Sequence, residues 1–369
     1  MRIRTIGILL LIALMCGTEG PQALAEEAPR QSLQEKRAIR QTLGMYRRAR
    51  RDLDAKAAAV VQAGSIGPAA VEEVLKLVDQ DLKPLMDRYR QDFLKAARAA
   101  AAQKYQSANM EEVAQLQQQV LALRDDPELT KEQIKQVGDP AMLKLEQLLI
   151  LAPEAVVSQN RALAEHREKM RGIGLLWQKC QEYLAQQGPN PQRQDGNIPG
   201  QAEADPSPSG ATFEERLRQE ELQVLRMAMP LTETARQVLD HNAKLEAQLD
   251  FEEARCVTAL NTTRILLGLE PLRVDLKLVE AARGHSADMA EHNFFSHESP
   301  IEGKRSFTDR ARLAGTTSSG ENIAMGRRQG HETNLQWFHS PGHHRNMLAN
   351  HARVGIGRSG KHWTELFGR

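Results

Sequence analysis

Cysteine is almost missing from this 369-residue chain, which holds only Cys16, Cys180 and Cys256. A disulfide framework of the kind that staples small exported domains is excluded, so stability must come from apolar burial. Excess charge of one sign is lacking too: 49 Lys and Arg stand against 48 Asp and Glu. Nucleic-acid-binding proteins carry a basic surplus, and nucleic acid is therefore not an expected partner. Beyond the first residues no run is apolar for the roughly 20 positions that a bilayer-crossing helix needs. Aromatic residues make up only 4% of the chain.

The first residues have a distinct pattern. Arg2 and Arg4 precede an apolar stretch over 6–15, and Ala23-Leu24-Ala25 stands just before Glu26-Glu27. Basic start, short greasy core and small-residue cleavage site predict a secretory signal peptide over 1–25, cut after Ala25. The apolar stretch is roughly half a membrane span. Cys16 raises lipidation as an alternative, but Met15 before it is too large for a good lipobox. The cleaved chain would keep 47 basic and 47 acidic residues. It is expected to be exported, to the periplasm, the cell envelope or the outside.

Residues 26–188 read as an all-α bundle or coiled-coil region, rich in Ala, Gln, Glu, Lys and Arg, with apolar side chains at 3–4 spacing. The seams run through Leu43, Tyr46, Leu53, Ala57 and Val60; Val71, Val78, Leu82, Leu85, Tyr89 and Ala96; Val113, Leu116, Val120 and Leu123; and Leu163, His166, Met170, Ile173, Trp177, Cys180 and Leu184. Pro84 predicts a kink. Thr130 with Gln133 reads as a capping box, and Asp139-Pro140 as an N-cap followed by a first-turn proline. Residues 189–211 are a polar, Pro/Gly/Ser-rich linker. Thr212 with Glu215 then opens a long connecting helix over 212–250, bent at Pro230. Its apolar stripe calls for a partner, either the earlier helices or a second copy through the helical region.

Nine of the eleven histidines fall between His285 and His362. Neutral imidazole can hold a metal or carry a proton near pH 7, so this is where chemistry is expected. Three runs stand out: Phe294-Phe295-Ser296-His297, Gly320-Glu321-Asn322-Ile323-Ala324 and Ser340-Pro341-Gly342-His343-His344-Arg345-Asn346-Met347-Leu348. Asn261-Thr262-Thr263-Arg264 and Gly268-Leu269-Glu270-Pro271-Leu272 precede them, and Gly355-Ile356-Gly357 and Trp363 follow. In this order the runs resemble the CAP superfamily (cysteine-rich secretory proteins, antigen 5, pathogenesis-related 1), and in particular its bacterial SCP-like branch. Eukaryotic relatives hold several disulfides, and this region has a single cysteine.

The resemblance implies an α+β chain with a C-terminal α-β-α sandwich over 251–369. It implies a mostly antiparallel sheet, helices near 252–267, 276–292 and 332–348, and a closing hairpin around Arg358-Ser359-Gly360. It further implies a shallow cleft in which His297 and His343 hold zinc weakly, lined by Glu321, Asn322, Ser340 and His344. The family's second glutamate is missing, because Ser340 stands three residues after Trp337. Ser340 and Pro341 read as N-cap and first residue of a short helix. His285 is in register with Leu278, Ala282 and Met289 and reads as a core histidine; His331, His339, His351 and His362 read as surface.

No nucleophile, base and orienting acid stand together in this pattern. A non-enzymatic binding module for a lipid or another cell-envelope component is the function expected. A metal-dependent hydrolase with Glu321 as base, or a structural envelope spacer, are the alternatives.

Overall fold

In the computed structural model, residues 78–186 and 212–369 are described. The expected signal peptide, Cys16, the linker at 189–211, the seams before residue 78 and the side chain of Cys180 lie outside the described residues. Helix α1, Lys83–Ser107, follows a π turn over Val78–Leu82 and has Pro84 in its first turn. Leu82 keeps helical dihedrals, so the chain is helical through Pro84, and the irregularity that the proline brings falls in the π turn just before it. The face buried by α1 is Tyr89, Phe93, Ala97 and Ala101, one residue per turn. Helix α2, Met110–Asp125, starts where the Asn109 side chain accepts from the amides of Glu111 and Glu112.

Thr130 and Gln133 form the expected capping box. From there the chain passes a π turn, Ile134–Gly138, into α3, Asp139–Leu149. Gly138 keeps helical dihedrals, so Asp139 caps nothing, and its carboxylate is taken up elsewhere. Helix α4 is Pro153–Ser158 and α5 is Arg161–Gln186. Helix α6, Phe213–Ala228, opens with the Thr212–Glu215 capping box. Glu221 of α6 pins three helices: Tyr89 Oη donates to it at 2.5 Å and Arg167 Nη2 at 2.7 Å, all three side chains being buried.

The single helix expected over 212–250 is two. Met229 is extended at φ −63°, ψ 155°, because Pro230 disfavours helical dihedrals in the residue before it. The chain restarts as α7, Glu233–Leu245, with Thr232 Oγ1 accepting from the Ala235 amide at 3.0 Å. That break lets α7 turn onto the sheet edge. Asn242 Nδ2 donates to the Leu272 carbonyl at 2.9 Å, and its Oδ1 accepts from the Val274 amide at 2.8 Å.

The C-terminal part alternates helices and strands: α8 Phe251–Leu266, β1 Arg273–Val274, α9 Leu276–Glu291, α10 Phe307–Leu313, β2 Gly320–Met325, α11 Gly330–Phe338, α12 Pro341–Leu348, β3 Arg353–Ser359 and β4 His362–Gly368. The sheet order is β1-β3-β4-β2, with only the β1–β3 pair parallel. The final hairpin turns at Gly360, whose φ is +59°. Gly355 and Gly357 explain how α9 reaches β3. A Cβ on Gly355 would lie 2.2 Å from the Leu278 carbonyl carbon, and one on Gly357 2.1 Å from the Arg283 nitrogen.

One apolar core runs from the helical region into the sheet. Val113, Val120, Leu123, Ile134 and Leu145 belong to the same cluster as Leu260, Trp337, Phe338, Met347 and Phe367. Cys256 in α8 is a free and fully buried thiol within that cluster.

Candidate functional site

His297 stands in the loop between α9 and α10, where Phe294 and Phe295 precede it. Phe294 packs its ring 5.8 Å from that of His285, whereas Phe295 stays exposed. Only the first of the pair anchors the loop. His285 is fully buried, as its register indicates, and its Nε2 meets the Ser296 carbonyl at 3.0 Å. Burial, and then the nearby Arg310 charge, push the His285 pKa down.

The His297 ring is half exposed and turns Nδ1 to Glu321 Oε1 at 2.9 Å. A carboxylate can only accept, so Nδ1 carries the proton and the Nε2 lone pair is left facing outward. The second oxygen of Glu321 is also committed: Arg310 Nη2 donates to Oε2 at 2.5 Å, with both side chains buried. Arg310 further donates to the carbonyls of His297 at 3.2 Å, Lys304 at 2.8 Å and Arg305 at 3.1 Å. One buried guanidinium thus holds the carboxylate and the whole loop that carries His297. The sequence reading missed Arg310; its place in α10, between the half-buried Phe307 and the buried Ala311, was the available signal.

His343 opens α12. Its pKa is lowered to about 4, first by burial and then by His297, whose protonated form would repel a second positive ring nearby. Ser340 occupies the N-cap position and Pro341 the first turn, but the Ser340 hydroxyl makes no capping bond. Asn346, one turn after His343, ties this helix to β2: its Nδ2 donates to the Glu321 carbonyl at 3.1 Å and to Asn322 Oδ1 at 2.9 Å.

Three residues expected to line the site are buried: Glu321, Asn322 and His344. Asn322 is fully buried and donates to Glu365 Oε2 at 2.7 Å, because neighbours in a strand face opposite sides of the sheet. It supports the cleft from beneath. His344 is also fully buried; Nδ1 meets the Phe338 carbonyl at 2.8 Å, and its ring packs 4.6 Å from that of Phe338. Next to His343 on the helix it points about 100° away, towards the Val120 carbonyl of α2. His339 is no free surface group either, since its Nε2 meets the Asp139 carboxylate at 2.8 Å and 3.0 Å.

Under these contacts lies Glu365, fully buried in β4, with Oε1 unpartnered among the described residues. Burial pushes its pKa up to about 8. A protonated carboxyl here lets Oε2 accept from Asn322 without leaving a bare charge in the core.

Among the described residues, no three His, Cys, Asp or Glu side chains gather as a metal-holding group. The donor set is two imidazoles, with the one adjacent carboxylate already bound on both oxygens. This fits an open, exchangeable divalent ion completed by water or ligand, and not a four-ligand structural zinc.

Residues 257–363 match the model of the cysteine-rich secretory protein (CAP) family. Over 118 residues the chain is 36% identical to the uncharacterized protein YkwD of Bacillus subtilis and 34% identical to that organism's uncharacterized membrane protein YlbC. Each match spans 31% of this chain, and 46% and 34% of the two relatives, less than half the length of either. An extracellular SCP-domain protein of Bacillus anthracis overlays 38% of this chain and 44% of its own, at 29% identity and a TM-score of 0.32. An outer surface protein of Borrelia burgdorferi overlays 33% of this chain and 96% of its own, at 18% identity and a TM-score of 0.30. The motif order and the matched span agree: residues 257–363 are a CAP domain.

Proposed function

We propose that this CAP domain is a non-catalytic binding module of an exported protein, with His297 Nε2 and His343 presented in a shallow cleft to a weakly held divalent ion or directly to a cell-envelope ligand such as a lipid. The observation that carries this reading is the double commitment of Glu321, whose oxygens take His297 Nδ1 and Arg310 Nη2. A general base must reach the attacking water, and although each Glu321 oxygen keeps a second lone pair, the side chain is only 1% exposed, which leaves a water little access to it. Glu321 instead does what a carboxylate behind a ligating histidine does, fixing its tautomer and orientation. Export rests on the signal-like first 25 residues, and no helix among the described residues is long and apolar enough to cross a membrane.

Zinc titration of the full chain by calorimetry tests the cleft. One site of modest affinity is expected, weakening as pH falls and protons compete for the imidazoles. Replacing His297 or His343 by Ala should remove most of that binding and leave the fold intact. Peptide, ester and glycan substrates should show no turnover with or without zinc. Turnover abolished by Glu321→Gln, with zinc binding kept, would establish the hydrolase instead. Mass analysis of exported material should find Glu26 at the N-terminus; a lipid-modified Cys16 would overturn that.

A further inference from the structure

A second place in the molecule, lined by none of the residues around His297 and His343, has the chemistry of a binding site. Helices α6, α7 and α8 and strand β1 enclose a cavity of about 40 Å³. Most of its wall is apolar, from Met227, Leu239, Ala243, Leu249, Val257 and Val274. Polar side chains interrupt that wall: the Glu246 carboxylate lines it beside Gln223, and Arg226 and Gln223 each have a buried polar atom with no partner among the described residues. Arg226 spends Nε on Thr262 Oγ1, while its Nη1 is buried and has no partner among the described residues. Gln223 donates through Nε2 to Glu246 Oε1 at 2.8 Å, but its Oε1 is buried with nothing to accept from. The other amides on the wall are spent: Asn242 and Asn261 each bond the backbone of the β1 segment through both side-chain atoms.

A guanidinium in an apolar wall is costly unless an anion meets it. No ion pair within 4 Å of Arg226 forms among the described residues, and the carboxylate whose charge reaches it, Glu146, supports the cation only from farther off. Burial lowers the Arg226 pKa only to about 10, which leaves it cationic near neutrality. The unmet acceptor on Gln223 asks in addition for a hydroxyl or similar donor. The volume holds a handful of non-hydrogen atoms and no long chain.

We propose that this cavity binds a compact 2-hydroxy monocarboxylate, glycolate to lactate in size, with its carboxylate on Arg226 Nη1 and its hydroxyl donating to Gln223 Oε1. The methylene or methyl group would rest on Leu239 and Val257. The site joins the helices before residue 250 to the CAP domain, so its occupancy would stiffen the seam between them. It does not depend on the reading of the histidine cleft.

Glycolate, lactate, acetate and octanoate, titrated into the full chain at constant ionic strength set by chloride, test this by calorimetry and by the shift of Tm. Ligand that binds only the native state raises Tm saturably. Glycolate or lactate should do so with a Kd at least several-fold below that of acetate, and octanoate should not bind. Arg226→Met should abolish the response while keeping or raising the ligand-free Tm, because it removes a buried charge that has no close ion-pair partner among the described residues. Ala243→Leu, which fills the cavity and keeps Arg226, should abolish it as well. A response that survives in both variants, equal binding of acetate and glycolate, preference for octanoate, or a shift reproduced by chloride alone would overturn the proposal.

Discussion

Arg310 and Glu321 lie eleven residues apart and meet at 2.5 Å with both side chains buried, and the carboxylate passes that constraint on to the His297 ring. Removing one member of a buried pair strands the other, at a cost of roughly 3–5 kcal/mol. Arg310→Met and Glu321→Leu are each expected to destabilise by about that much in urea unfolding. The double variant should cost well under the sum, because neither charge is then left alone. Additive losses would show that the pair is not a unit. Both single variants should also weaken zinc binding, since His297 loses the group that orients it.

Gly355 and Gly357 concern α9 and β3. A methyl group at Gly355 would sit within 2.4 Å of Leu278 atoms and the Val279 nitrogen, and one at Gly357 within 2.6 Å of the Ala282–Arg283 backbone. Backbone cannot rotate aside as a side chain does, so the helix must lift from the sheet. Gly355→Ala and Gly357→Ala should each cost upwards of about 2 kcal/mol by overpacking. Gly342→Ala, with open space around its Cβ position, is the control and should be neutral in the same thermal melts.

The seam between the helical region and the C-terminal part is held by specific bonds as well as by the shared core. Arg345 Nη2 donates to the Asp126 carbonyl at 2.6 Å, Gln117 Nε2 to the Leu266 carbonyl at 2.9 Å, and His339 meets Asp139. The polar linker predicts that residues 251–369 fold alone. Cutting there uncovers Phe338, Met347 and Leu348 from the Val120 and Leu123 side, and each large apolar side chain returned to water costs roughly 1.5–3 kcal/mol. The fragment is therefore expected to fold with a Tm well below that of the full chain. An equal Tm would show that the helices add nothing to the CAP domain.

Helix faces were legible in sequence wherever apolar spacing alone decides them. Val113, Val120 and Leu123 are buried as their period indicates, and the boxes at Thr130 and Thr212 form because their partners are three residues away. What sequence could not show are roles set by distant partners. Asp139 reads locally as a helix cap, yet its carboxylate is bound to His339, 200 residues on. His343 and His344 carry the same side chain at adjacent positions. That His344 is the buried one follows from α2, which lies over it and has no signature in the local motif.

Two half-buried histidines and one buried carboxyl shift far within the range of pH 4 to 8. His343 and His351 are lowered from 6.5 to about 4, both mainly by burial. Between those values the unfolded chain binds a proton that the native state refuses, so stability rises with pH across about 4 to 6.5. Acidification through that window should remove up to roughly 3 kcal/mol per histidine, at about 1.36 kcal/mol per pKa unit. Glu365 has the opposite sign. Its pKa rises from 4.5 to about 8, so the native state keeps a proton that the unfolded chain releases, and stability falls as pH rises across that range. The expected profile of ΔG from urea unfolding peaks on the mildly acidic side of neutrality and declines towards pH 8. Glu365→Gln preserves an oxygen to accept from Asn322 and cannot ionise, so it should flatten the alkaline limb and steepen the acid limb above about pH 4.5, where Glu365 opposes the histidines. An alkaline limb that persists in this variant would mean that Glu365 is already ionised in the folded protein.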